Sequence, residues 1–243
     1  EHKEYLDLDN WYLRMERVNA YFKHLTHSFD VMRSILGKSD FVKFRMALLP
    51  ASGFQSVQFR HIEIMSTNFS NLLNAEFRDK KDEPLEALYE EIYWKSGSID
   101  MDTGNKTLTL TEFEDYYDES LKQFIKSYKY CNLAYLYYRL DAEMKKDGRL
   151  KELLREYDTF FNIHWRFSHL NAAARHLPKD DKGTGGTNWK KYLPPAQQRI
   201  QFFESLWSDE EKATWGEAYF KKMFSKQVEK SWMKIPKEER KAE

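Results

Sequence analysis

The chain has 243 residues, and its 39 lysines and arginines are matched by 39 aspartates and glutamates. That length and the lack of any Pro/Gly/Ser-rich linker suggest one domain over 1–243; the even charge gives no reason to expect nucleic acid or a charged membrane surface as partner. No apolar run approaches the ~18 residues that span a bilayer, and a single cysteine, Cys131, excludes an internal disulfide framework and suits a reducing, cytoplasmic setting.

Apolar spacing predicts an all-α chain. Leu13, Val18, Tyr21, Phe22, Leu25, Phe29 and Met32 form one stripe on a helix over 10–35. A short helix over 39–48 carries Phe41, Phe44, Arg45 and Leu48 and stops before Pro50. Ser52 and Gln55 form a capping-box pattern that opens a helix over 53–75. Residues 76–111 are polar and broken by Gly and Pro; they read as an irregular surface excursion, with a short extended piece at 106–110. Thr111 and Glu114 form another capping pattern, opening a helix that runs to 145. Helices over 148–177 and 195–207 flank a Gly-rich loop at 178–193. Ser208 and Glu211 cap one more helix, and residues 224–243 form a charged tail.

Three segments could carry chemistry. In WRFSHLNAAARHL (165–177), His169 has Trp165 one turn before it and Ala172 and Ala173 one turn after. An imidazole beside small residues suits a flat macrocycle such as haem, which needs one axial nitrogen; a satisfied core histidine is the alternative. His164 and His176 compete with it, but neither makes a zinc spacing with His169. In GTGGT (183–187), three glycines permit close backbone approach and the threonines offer hydroxyls; the pattern is neither a Walker nor a Rossmann motif, and taken alone it reads better as a flexible loop. Third, Arg45 offers a fork for a carboxylate, with Phe41 one turn before it and a helix start near Ser52 whose free N–H groups favour anions. A surface arginine is the alternative there.

Together these segments resemble the tryptophan 2,3-dioxygenase family. FRMALLPASGFQSVQFR (44–60), WRFSH (165–169) and GTGGT (183–187) follow the family's motifs in order and spacing, with weaker similarity from Trp11 to Trp207. The resemblance implies a helical bundle of the haem-dependent dioxygenase type, a homotetramer with haem b, cleaving the indole 2,3 bond of L-tryptophan with O2 to give N-formylkynurenine. It implies His169 as axial iron ligand with Trp165 beside it, and Phe59 and Arg60 near the haem edge. Arg45 would take the substrate carboxylate, Phe41 would line the pocket, and Thr184 would sit in the loop closing on the amino-acid end. Ser52 and Gly53 would lie on the O2 side. The similarity begins beyond an upstream helix that in the family supplies a distal histidine and a phenylalanine, so this segment is expected to be missing here. After GTGG the chain continues Thr187-Asn188-Trp189 where the family has Ser-Ser-Gly. Oxygenation of another aromatic amino acid or indole, and haem binding without turnover, remain alternatives.

Overall fold

Asp7 closes the start of α1 (Leu8–Ile35), its carboxylate accepting the Asn10 N–H. The computed structural model describes residues 7–37, 39–41, 43, 53–80, 83–96, 99–100, 103–176 and 200–219. The buried stripe of α1 is Tyr12, Met15, Asn19, Phe22 and Thr26, and the expected inward residues Leu13, Tyr21 and Leu25 are exposed. The stripe turns away from the apolar reading because two of its members are polar. Asn19 Nδ2 donates to the Leu153 carbonyl and to Glu156, and the Thr26 hydroxyl donates to the Phe22 carbonyl. Partnered in this way, the Asn19 amide N–H and the Thr26 hydroxyl can be buried without a large desolvation cost, although Asn19 Oδ1 is buried without a partner.

Gly53–Gln55 is a 3₁₀ turn, and α2 (Val57–Ser66) begins after it. The cap observed for α2 is Ser56, which accepts the Phe59 N–H; Ser52 lies outside the described residues. Thr67 ends the helix, and the stretch expected to stay helical to residue 75 forms a 3₁₀ turn at Phe69–Leu72 instead.

Residues 76–111 are irregular and exposed toward both ends, as read, but the stretch 88–95 is part of the core. They form short turns, including α3 (Leu85–Leu88) and α4 (Tyr93–Ser96), but Leu88, Tyr89, Ile92 and Trp94 are buried. Lys95 is also buried, its ammonium 2.9–3.1 Å from Glu90, Glu114 and Asp118. Large aromatic and branched side chains supply here the apolar area that a regular helix face would otherwise give.

The helix predicted from Thr111 starts earlier, as α5 (Leu108–Tyr128) capped by Thr107, and it stops well short of residue 145. Asn132 then caps α6 (Leu133–Arg139). Asp147 opens α7 (Gly148–Thr159) by accepting the Leu150 N–H at 2.7 Å. A π turn, Phe160–Trp165, joins α7 to α8 (Arg166–His176), so the predicted long helix is present with one widened turn. The described part of the helix expected over 195–207 is an irregular stretch and a 3₁₀ turn, Glu204–Leu206. The capping box at Ser208 and Glu211 opens α9 (Asp209–Ala213) as read from sequence.

The regular structure of the described residues is helical, with two isolated bridges, Leu73–Ile92 and Ile99–Lys106. No described helix is long and apolar enough to cross a membrane. Two apolar clusters form. One gathers α1, α7, the π turn and Phe202–Phe203; the other gathers the short turns of 69–96 against α5. Helix α2 lies between them, giving Phe59 and Ile62 to the first and Val57 and Ile64 to the second. The two faces of one ten-residue helix thus set the two clusters relative to each other.

Candidate functional site around His169

Helix α8 packs along α1 and the π turn. His169, at its middle, is open at the surface. Surrounding protein nevertheless desolvates the ring and lowers its pKa from the ordinary histidine value. In its neutral form this imidazole offers a lone pair.

Aromatic side chains border this ring. Phe29 of α1 lies 5.7 Å from His169 and 5.0 Å from Trp165, and Trp165 lies 6.2 Å from Phe59 of α2. Phe59 in turn stacks on Phe161 of the π turn. The run Phe59–Trp165–Phe29–His169 therefore brings three of the sequence-read cofactor residues together and adds Phe29, which the periodicity marked only as a core position. A neutral imidazole next to an aromatic cluster fits an axial ligand for haem. Ala172, expected to share the open face of His169, is buried instead.

Arg60, read as lying near the haem edge, has a guanidinium already committed elsewhere. It donates to Glu63 at 2.7 Å and to the Tyr93 hydroxyl at 2.8 Å, and it lies over the Trp94 ring. The same Glu63 accepts from Arg166 at 2.9 Å and from the Tyr93 hydroxyl. All five residues are buried. Burial works against the Arg60 charge, but Glu63 and Tyr93 outweigh it and its pKa is raised; burial also pushes Tyr93 up to about 12. This cluster pins α2 to α8, three residues before His169. Sequence reading passed over Glu63 and Arg166, although a glutamate three residues after Arg60 on a helix is a readable pair.

The other predicted residues divide. Phe41 is described: its ring stacks on His176 at 4.5 Å. His164 stacks on Tyr219, and His24 and His27 are exposed on α1. Arg45, Ser52, Thr184, the GTGGT loop and the tail at 224–243 lie outside the described residues. No group of three or more potential metal-ligating side chains occurs among the described residues.

Asp158, at the end of α7, secures the stretch that follows the glycine loop. One carboxylate oxygen accepts from Asn162 Nδ2 at 2.7 Å and the Phe202 N–H at 3.0 Å; the other accepts from the Phe203 N–H at 3.3 Å and Trp207 Nε1 at 2.9 Å. Burial raises its pKa to about 6, and these four donors offset only part of that shift.

The family model described as tryptophan 2,3-dioxygenase matches residues 6–96. Curated proteins of that name are similar over most of the chain. The Ruegeria sp. (strain TM1040) protein is 26% identical over 204 residues, which is 80% of this chain and 68% of that protein. The Bradyrhizobium diazoefficiens protein is 26% identical over 79% of this chain and 68% of its own length. The relative from Bacillus thuringiensis subsp. konkukian is 28% identical over 80% and 68%. No solved structure gives a significant match. Similarity along four-fifths of the sequence makes this chain similar to the curated tryptophan 2,3-dioxygenases.

Proposed function

We propose that this protein opens the indole 2,3 bond of L-tryptophan with O2, yielding N-formylkynurenine, and that it uses haem b to do so. The observation that carries the reading is His169 itself: an exposed imidazole of lowered pKa on α8, 5.7 Å from the Phe29 ring, which in turn lies against Trp165. His169 would hold the iron, with Trp165, Phe29 and Phe59 forming apolar surface beside the macrocycle. Bound haem supplies the oxidative chemistry of O2; the protein binds, orients and excludes water.

The remaining roles rest on the resemblance. Arg45 pairs with the substrate carboxylate through two N–H groups. Thr184 holds the amino-acid end and Phe41 lies against the indole ring, with Ser52 and Gly53 on the O2 side. Fixing the substrate at both ends restricts it to orientations that present the C2–C3 bond. Arg60, held by Glu63, acts by keeping α2 in register with α8. Assembly as a homotetramer and a cytoplasmic location belong to the same proposal.

The test is direct. The haem-loaded, reduced protein is mixed with L-tryptophan and O2, and N-formylkynurenine is followed by its absorbance. Product formation supports the reading. A histidine-ligated haem spectrum with no product moves the function to another aromatic substrate or to haem binding without turnover. Failure to take up haem refutes the reading.

A further inference from the structure

His176 closes α8, two turns beyond His169, and its side chain is 1% exposed. Its Nδ1 lies 2.9 Å from the Ala172 carbonyl oxygen and its Nε2 3.4 Å from the Leu36 carbonyl oxygen, so whichever nitrogen carries the proton donates to a carbonyl. The ring lies nearly parallel to Phe41, at 26° and 4.5 Å between centroids. Leu36 is the C-cap of α1, and Phe41 follows it by five residues. A single imidazole therefore touches the end of α1, the aromatic residue at 41 and the end of the His169 helix. An apolar side chain could fill this volume, but it could not donate to a carbonyl or stack as a flat polar ring.

We propose that His176 is a positioning residue for Phe41, fixing from behind the face that this ring offers to an aromatic substrate. The inference rests on the function proposed above, because it takes Phe41 as part of the pocket wall. Phe41 is only partly buried, so a stacked ring on one face leaves the rest of it accessible. Holding that ring in one orientation restricts how a flat substrate can lie against it, and small errors of placement weigh heavily at a reacting bond. The stacking preference of aromatic pairs supplies the restraint, and the hydrogen bond to the Ala172 or Leu36 carbonyl fixes the imidazole plane.

The experiment is a double-mutant cycle on the haem-loaded protein with L-tryptophan, using His176→Leu, Phe41→Leu and the double variant. His176→Leu should raise KM about tenfold and change kcat by less than about twofold. In the Phe41→Leu background the same change should raise KM by less than about twofold, because coupled residues are not additive. His176→Gln, which keeps a donor without the ring, should fall between wild type and His176→Leu. Equal losses in the two backgrounds, or a KM within twofold of wild type for His176→Leu, would overturn the proposal. If the wild-type protein makes no N-formylkynurenine, the functional reading fails, and the same four proteins are compared by urea unfolding. Coupling of about fivefold or more in the unfolding constant supports the contact as a positioning clasp; independent effects overturn it.

Discussion

Changing the pH while replacing Asp158 isolates one buried carboxylate. Its folded pKa is about 6, against an ordinary value of 3.8. That difference corresponds to about 3 kcal/mol, at ~1.4 kcal/mol for each tenfold change in the ionisation constant. Because the folded pKa is the higher one, the group's contribution to stability is complete below pH ~4 and is lost as pH rises through ~6. Asp158→Asn removes the titration but leaves every other carboxylate in place. Urea unfolding of wild type and variant at intervals from pH 4 to pH 7.5 gives two stability curves, and their difference cancels the shared groups. That difference should fall by about 3 kcal/mol across the range, with its midpoint near pH 5. A difference constant to within ~0.5 kcal/mol would refute the reasoning: the four N–H donors would then be keeping the carboxylate in its ordinary range.

Other substitutions test separate parts of the structure. Glu63→Ala leaves Arg60 and Arg166 buried without their shared counter-charge, so chemical unfolding should show a loss of about 3–5 kcal/mol; a loss below ~1 kcal/mol would mean the cluster is solvated. Gly216 has φ +76°, and a Cβ there would lie 2.7 Å from the Phe167 ring, so Gly216→Ala should lower stability by about 2 kcal/mol in the same assay. His169→Ala should abolish haem uptake, read from the Soret band, with thermal unfolding of the haem-free protein little changed. Arg45→Ala should weaken L-tryptophan binding by about tenfold or more and leave haem uptake intact, as expected for the loss of a charge-assisted pair to the carboxylate.

The long helices and most of their order could be read from apolar spacing, and the capping box at Ser208 was visible as a pattern. The face of α1 was misread because its buried stripe includes Asn19 and Thr26, whose partners lie on α7 or on the helix's own backbone and leave no trace in hydrophobicity. The stretch 88–95 within 76–111 was misread for a related reason: its charged residues hide the spacing of Leu88, Ile92 and Trp94, and Lys95 is buried only because three carboxylates surround it. At the site, Trp165 and His169 were legible from a local motif. Phe29 and His176 were not, since their importance comes from contacts across 140 and 135 positions of chain. Helix ends suffered from competing caps: Thr107 and Thr111 are both plausible in isolation, and Leu110, buried in the first turn, decides for Thr107.

The π turn at Phe160–Trp165 resembles an α-helix into which one residue has been inserted. In a regular helix each residue turns the axis by roughly 100°, so an extra residue rotates everything downstream by about that angle. Removing any one residue from this turn would carry Arg166 and His169 round together, the first off Glu63 and the second away from Phe29. The spacing between Asp158 and His169 is therefore a length constraint as strict as any side-chain identity: a variant library that samples every substitution in 160–165 should find many folded members, and one that samples single deletions there should find almost none.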